Sequence, residues 1–314
     1  MSTANSVCPQ QRAADPSREW ASIGCRRYIY CIIDCDQRTS FDRIGVGDES
    51  PEVFAIPYEG LAAVVSATSR ERFEISRRNI LAHQHVMETA MERGHTVLPV
   101  KFNTIADDKT NRSAESRIVE YVLAERTDEL SALLSTMSTR VELGVKGLWT
   151  DMDAVFREIV DSHEEIRLLR GKLRAAPGVP RGSRPASLAA GQIRLGELVK
   201  NALEAKKCDI EKDLRSRLEQ KITDLRKNAT FGDSMFANLA LLAEKSQQEE
   251  IYSALSALEA EGAGQIKIKC VGPVPPANFV ELVITVYPQD ITMRVFALVF
   301  DNFVEPFDKI VEHP

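Results

Sequence analysis

Residues 94–108 read GHTVLPVKFNTIADD, and this stretch places an apolar run, Val97–Val100, around a proline. Proline has no backbone N–H to donate to a neighbouring strand, so it is found at strand ends, edges and bulges. We therefore predict that Thr96–Val100 is a strand with Pro99 near its exit or on an exposed edge. The residues Lys101-Phe102-Asn103-Thr104 are predicted to form the turn out of that strand.

Hydrophobic periodicity on both sides of this stretch alternates between strand and helix patterns. The order strand, strand pair, helix, strand, helix, strand predicts an α+β fold of the ferredoxin-like type, one sheet with helices on one face. The predicted strands are 26–33, 53–56, 61–66, 96–100 and 139–149, and the predicted helices are 74–94, closed by Gly94, and 113–137, with a spine of Ile118, Val122, Leu130 and Leu134.

The second half of the chain begins with a helical pattern that starts at Asp151, a suitable N-cap residue. Residues 176–187 hold three prolines and two glycines and are predicted to be a loop. Residues 188–227 contain no proline, and their apolar stripe repeats every eleven residues, which indicates a nearly straight helix. We predict a helical hairpin followed by a smaller, half-ferredoxin-like α+β unit, with strands 235–242, 265–271 and 279–286, a helix 247–259 and a stiff turn 272–276. The predicted domains are a flexible tail (1–25), a ferredoxin-like domain (26–150) and the hairpin with the small unit (151–314).

Composition excludes several classes of protein. The chain has 314 residues and a net charge of −6, and a protein that coats nucleic acid needs an excess of Lys and Arg. Six cysteines in a chain of this length do not form a disulfide framework. The first residues show no secretory pattern, and the apolar run Val295–Phe300 is far shorter than a membrane span. We expect a cytoplasmic protein that binds neither nucleic acid nor membrane.

The search for chemistry predicts no catalytic residue, no metal site and no cofactor. His83 and His85 stand two positions apart on a predicted helix and so point away from each other, which does not suit a shared metal. Cys31 and Cys35 match no four-ligand spacing and are interpreted as small apolar residues. The sequence GVGDES (45–50) begins like a dinucleotide fingerprint but lacks the third glycine and the preceding strand.

Positive charge is concentrated between Ile166 and Gly196, where no Asp or Glu occurs. Such a cluster suits the steering of an acidic partner. It is equally explained by cations at a helix C-terminus followed by a basic loop. Its members are Arg167, Arg170, Lys172, Arg174, Arg181, Arg184 and Arg194.

Four patterns in order resemble the gas vesicle proteins GvpF and GvpL: YIYCII (28–33), LAAVVSAT (61–68) with ILAHQHVME (80–88), TVLPVKFNT (96–104), and GPVPPANFVEL (272–282). The resemblance spans Tyr28 to Val286. It implies an accessory or minor structural protein of the gas vesicle, a hollow protein shell, with no enzymatic activity. It also implies assembly contacts with the major shell protein (GvpA-type) and with other gas vesicle accessory proteins, and it leaves self-association open.

Two stiff turns and the basic cluster supply the candidate protein-contact residues. Phe102 either packs into the local core or stands exposed as a contact. The alternative function is a small-molecule-sensing regulatory module, which rests on analogy with ferredoxin-like sheets. The candidate contact residues are Leu98 and Pro99 at the end of the strand before the first turn, Lys101 and Phe102 in that turn, Gly272, Pro273, Pro275 and Pro276 in the second turn, and Arg174, Arg181 and Arg184 at the hairpin tip.

Overall fold

The computed structural model of the protein describes residues 26–108, 112–175, 186–286 and 291–297. The predicted tail (1–25) and the candidates Arg181 and Arg184 lie outside the described residues. Two compact units can be separated. The first contains the chain up to Leu134 together with Glu281–Phe296, and the second contains Ser135–Val280.

The first unit is built on an antiparallel sheet. Its predicted strands are confirmed as β1 (Arg26–Asp34), β2 (Val53–Tyr58), β3 (Leu61–Thr68) and β4 (Val97–Pro99), with β5 (Ile105–Asp107) in addition. The strand order is β2-β3-β1-β4, and β5 also pairs with β1. The tight β2–β3 turn uses Glu59 and Gly60, both with positive φ, as a two-residue hairpin requires.

Helices cover this sheet on both faces, and the expectation of helices on one face is wrong. Helix α1 (Arg77–Glu92) packs Val86 and Met87 against the face that carries Tyr28 and Tyr30. The helical segment 114–138 contacts β1, β2 and β3 and buries Ile118 and Val122, which are absent from that first cluster. The physical reason lies in β1, because a strand with buried side chains on both faces needs cover on both.

The α+β class is confirmed, whereas the ferredoxin-like detail of the first unit is not. Three strands precede the first helix here, so the β-α-β-β-α-β order of that fold is not reproduced. The helical segment begins where predicted, at the N-cap Ser113, but one π-helical turn interrupts it. Its parts are α2 (Ala114–Ile118), the π turn Val119–Leu123, the 3-10 turn Ala124–Arg126 and α3 (Thr127–Ser138).

The ends of helix α1 agree with the sequence prediction, but its buried face does not follow the apolar residues alone. Ser76 caps its first turn by accepting the N–H of Asn79, and Gly94, with φ 92°, follows its last turn as predicted. Ile80 and Leu81, however, are 43% and 50% exposed, although helical apolar periodicity would place them with the other apolar residues of this helix. The buried face is rotated toward His83 and Val86 because it must follow the aromatic surface of β1.

The second unit contains a four-stranded antiparallel sheet. Its strands are β6 (Arg140–Trp149), β7 (Asp224–Lys227), β8 (Met235–Glu244) and β9 (Ile266–Val274), in the order β7-β8-β6-β9. The strand predicted at 139–149 in the first domain is β6, next to the edge strand β9 of this sheet. The boundary therefore falls after Leu134 and not at residue 150. In the part of the chain that the structure describes, three α-helices connect β6 to β7, and one connects β8 to β9.

The helices of this unit pack on one face of the sheet, where Val145 and Leu241 lie in the same core cluster as Ile159, Leu203 and Leu255. Asp151 caps the first of these helices as predicted, and a break at His163 separates the first helix from the second. The long helix ends at Leu218, so the expectation that it reaches Lys227 is wrong, because Asp224–Lys227 pairs with β8. The helices are α4 (Met152–Ser162), α5 (Glu164–Ala175), α6 (Ala186–Leu218) and α7 (Gln248–Glu261).

Strand β9 extends further than the sequence suggested and includes Gly272 and Val274, so the stiff turn starts at Pro275. A side chain at Gly272 would lie 2.9 Å from the carbonyl oxygen of Glu142, which explains the glycine. Helix α7 closes the outer edge of β9. Glu259 Oε2 accepts the Ile268 N–H at 2.7 Å, and Tyr252 OH lies 3.5 Å from the Gly272 carbonyl. The chain continues into the hairpin β10 (Val280–Val286) and β11 (Ile291–Ala297).

Glu142 is a buried carboxyl group in the second unit, 3% exposed. Its oxygens accept the backbone N–H of Asn278 at 3.0 Å and the side-chain amide of Asn278 at 2.5 Å. Burial raises the pKa of Glu142 to about 7, and the two hydrogen bonds from Asn278 lower it by a smaller amount.

Glu142 makes the folded state less stable as pH rises. Because its pKa is raised in the folded state, its contribution is fully present below pH 4.5 and is lost as pH rises to about 7. Glu142→Gln carries no such charge. We expect the difference in unfolding free energy, wild type minus variant, to fall by about 1.4 kcal/mol per unit of the pKa difference across that window.

Urea unfolding followed by circular dichroism between pH 4 and 8 measures this difference. The exposed Glu165→Gln serves as the control and should show no comparable slope. A difference that stays constant with pH, or that rises, contradicts the assignment.

Candidate functional site

His83 lies on the inner face of α1 and is 6% exposed. Its Nδ1 is 3.0 Å from the Tyr28 hydroxyl, and its Nε2 is 3.1 Å from the Val100 carbonyl oxygen. A carbonyl accepts and cannot donate, so Nε2 carries the ring proton and Nδ1 accepts from Tyr28. This imidazole therefore joins β1, α1 and the end of β4.

The turn after β4 is fixed to the same place. Asn103, with φ 70°, donates its backbone N–H to Tyr28 OH at 3.1 Å. Its side chain accepts the Phe73 N–H at 2.8 Å and donates to the Phe73 carbonyl at 2.9 Å. Ile29 N–H donates to the Thr104 carbonyl at 2.9 Å, so the predicted turn is held against β1 from both ends.

Pro99 occupies a position that needs no N–H. It stands opposite Cys31, while the next residue, Val100, donates its N–H to Tyr30 at 3.0 Å. Antiparallel pairs alternate between bonded and non-bonded positions, and the proline sits at a non-bonded one. The expectation that it lies near the strand exit is confirmed. β4 is the last strand in the sheet order, so Pro99 does lie on an edge strand, but the residue is buried and the edge is not exposed there.

The other two patterns of the sequence reach this cluster as well. Ser66 of the LAAVVSAT strand hydrogen-bonds Tyr30 OH at 2.8 Å. Leu282, the last residue of GPVPPANFVEL, forms a parallel bridge with Val100 and accepts the Lys101 N–H at 3.0 Å. We call these residues the His83 cluster: Tyr28, Tyr30, Ser66, Phe73, His83, Val100, Phe102, Asn103 and Leu282.

Aromatic rings fill the space around the imidazole. Tyr30 stacks on His83 at 5.5 Å between centroids, and Phe102 meets the imidazole edge-on at 5.6 Å. Phe102 is half-buried and packs against the core of the first unit, which favours the first of its two predicted roles. Edge-on and tilted ring pairs of this kind add to the stability of a buried cluster.

Burial keeps the titratable groups of the cluster neutral. It lowers the pKa of His83 to about 4 and raises the pKa of Tyr30 to about 12. It raises the pKa of Tyr28 as well. These groups do not titrate near neutral pH, so the cluster suits hydrogen bonding and not acid–base catalysis. Within the described residues, no three His, Cys, Asp or Glu side chains come together as a metal site would require.

The predicted contact residues of the first turn divide between core and surface. Leu98 and Pro99 are buried, so their side chains support the fold and are not available to a partner. Lys101 is exposed beside the cluster.

The predicted contacts of the second unit divide in the same way. Pro275 and Pro276 are buried, Gly272 is half-buried, and Pro273 and Arg174 are exposed. Sequence reasoning missed the partnership of Glu142 with Asn278, because a glutamate in an alternating strand reads as surface. Among the described helices, none is both long enough and apolar enough to cross a membrane.

The glycine-rich loop 45–50 borders a cavity of 250 Å³ together with Arg43, Arg78 and His85. The loop is anchored to the core, since Val46 N–H donates to Tyr30 OH at 2.8 Å. Arg78 pairs with Asp48 at 2.6 Å, and Arg43 donates to the Glu49 carbonyl at 3.3 Å. Contacts within the chain thus account for both arginines, and the loop is a structural turn.

Protonation of His83 opposes folding. Because burial lowers its pKa from the usual 6.5 to about 4, stability is fully present above pH 6.5 and is lost as pH falls through 4. His83→Gln retains a donor for Val100 and an acceptor for Tyr28 but cannot be protonated. The loss on acidification should be smaller in the variant by about 1.4 kcal/mol per unit of the pKa difference.

Urea unfolding at pH 4 to 7 provides the measurement. His85→Gln, on the exposed side of the same helix, is the matched control and should follow the wild type. If His83→Gln loses stability on acidification as steeply as the wild type, the buried neutral imidazole is refuted.

The sequence is similar to those of known gas vesicle proteins. The profile of the family described as "Gas vesicle synthesis protein GvpL/GvpF" matches residues 26–281. Gas vesicle protein F of a Streptomyces species is 27% identical over 254 residues, covering 81% of this chain and 99% of that protein. Gas vesicle protein L1 of Halobacterium salinarum is 24% identical over 283 residues, covering 84% and 93%.

Solved structures show the same fold. The crystal structure of gas vesicle protein GvpF from Anabaena sp. superposes with a TM-score of 0.63 at 21% identity, covering 80% of this chain and 96% of that one. GvpF from Microcystis aeruginosa gives a TM-score of 0.59 at 20% identity, covering 81% and 98%. The profile match covers residues 26–281 of the 314-residue chain, and this chain belongs to the GvpL/GvpF family of gas vesicle proteins.

Proposed function

We propose that this chain takes part in gas vesicle assembly as a binding protein without enzymatic activity, and that it contacts the major shell protein and other accessory proteins. Family membership supports the gas vesicle role. The observation that carries the binding role is that the α5–α6 hairpin exposes both apolar and basic side chains to solvent.

Exposed apolar residues stand on both helices of this hairpin. Leu168 on α5 is 55% exposed, and Ile193 on α6 is 64% exposed. The helices approach closely nearby, because a side chain at Gly191 would come within 3.0 Å of Leu173. A rigid pair of helices that presents apolar side chains to solvent is a common form of protein-binding surface.

The charges on the hairpin define the kind of partner. Arg167 and Arg174 are exposed on α5, and Arg194 on α6 reaches Glu165 at 3.3 Å. Arg174 lies in the last turn of its helix, where the helix dipole also favours a cation. The surface therefore fits a partner that carries both apolar and acidic groups.

A small shell subunit that forms an apolar, gas-facing surface has to be kept from aggregating before it assembles. Contact with a mixed apolar and basic surface would cover such a subunit until it joins the shell.

The test is a pull-down with co-expressed shell subunit. Replacing Arg174, Arg181 and Arg184 with Glu should weaken retention severalfold, because charge reversal removes the electrostatic attraction. Replacing the exposed Arg70, Arg72 and Arg77 with Glu introduces the same charge elsewhere and should leave retention unchanged. Equal retention by both triple variants removes the hairpin tip from the proposal, and no retention by the wild type refutes binding of the shell subunit.

A further inference from the structure

The sheet of the second unit has one face covered by helices and another that is partly open. On the open face, side chains of β6, β8 and β9 lie next to the turn that precedes β8. We call this surface the β6–β9 patch. Its members are Lys146, Leu148, Phe231, Met235, Lys267, Lys269 and Val271.

Two lysines of the patch stand directly opposite each other. Lys146 and Lys269 are paired in register on neighbouring strands, and both are exposed. Lys267 lies two residues along the same strand and is paired with Glu259 at 2.9 Å. Among the described residues, no carboxylate forms an ion pair with Lys146 or Lys269. Like charges directly opposite each other destabilise a sheet, so the fold gains nothing from this pair.

Apolar side chains adjoin the lysines on the same face. Leu148 is opposite Met235 across β6 and β8, and both are half-buried. The Met235 sulfur accepts the backbone N–H of Phe231 at 3.5 Å, and the Phe231 side chain is 73% exposed. Val271 is 56% exposed opposite Gly144, which adds no side chain of its own. The patch is therefore apolar and basic at once.

We propose that the β6–β9 patch binds an acidic amphipathic helix of another gas vesicle protein, an inference that rests on the proposed function. Lys146 and Lys269 occupy a hydrogen-bonded antiparallel pair, whose Cα atoms are about 5.5 Å apart. Acidic residues at positions i and i+4 of a helix have Cβ atoms about 5–6 Å apart, which matches this spacing. The apolar stripe of the same helix would cover Phe231, Met235 and Val271.

Fluorescence anisotropy with the full chain tests this binding. The probe is a labelled synthetic helix of about 18 residues, long enough to fold, with leucines on one face and glutamates at i and i+4 beside them. A second peptide has Gln, and a third has Lys, at every Glu position. We expect the Glu peptide to bind at least about tenfold more tightly than the Gln peptide.

Variants on the chain complete the experiment. The double variant Lys146→Glu with Lys269→Glu should bind the Glu peptide at least about tenfold more weakly than the wild type does, and it should gain affinity for the Lys peptide. Lys200→Glu with Lys212→Glu, on the exposed side of α6, is the matched control and should bind like the wild type. Phe231→Ser should lower the affinity for the Glu peptide without creating affinity for the Lys peptide.

The proposal is overturned if the wild type binds the Glu and Gln peptides with equal affinity. It is also overturned if the charge reversal at Lys146 and Lys269 leaves the affinity for the Glu peptide unchanged. Tighter binding of a short single-stranded RNA than of the Glu peptide also overturns it. The shell-subunit pull-down is run on the same variants. A wild type that binds the Glu peptide but retains no shell subunit refutes the proposed function alone, and the reverse result refutes the patch alone.

Discussion

Six consecutive residues of β1, Tyr28–Ile33, have no exposed surface, and the first unit is organised to cover both faces of this strand. Apolar side chains such as Ile29 and Ile32 on one face are removed from water by the segment that follows Ser113. On the other face the two tyrosines bring hydroxyl groups into the core, and a buried hydroxyl without a partner is costly. The neighbouring elements therefore supply hydrogen bonds as well as apolar contacts.

Those hydrogen bonds explain why distant parts of the chain converge. Tyr30 OH meets Ser66 and the backbone of Val46, while Tyr28 OH meets His83 and the backbone of Asn103. Each partner belongs to a different segment, so satisfying two hydroxyls fixes the positions of α1, the 45–50 loop and the turn after β4. The sequence patterns that link this chain to its family are largely the segments that carry these contacts.

Much of the local structure could be predicted from the sequence, because caps, turns and periodicity act over a few residues. Asp151, Ser113 and Gly94 all stand at helix ends as expected. Pairing between distant strands could not be predicted in this way, since Arg140 meets Glu244 across 104 positions. Because this pairing was not foreseen, the sequence analysis assigned β6 to the first unit, and the order of strands and helices in the second unit was not recognised. Exposure was harder still to predict, because Leu98 and Phe231 are both apolar, yet Leu98 is buried and Phe231 is 73% exposed.

The edge strand β9 has a consequence for how the sheet of the second unit can associate with other strands. Glu259 holds the Ile268 N–H that an incoming strand would need, and its negative charge would repel the carbonyl of such a strand. Edge-to-edge pairing of strands is a common route by which β-sheet proteins aggregate. A second strand could pair at this position only after displacing the Glu259 carboxylate from Ile268, so the chain carries its own protection against such pairing.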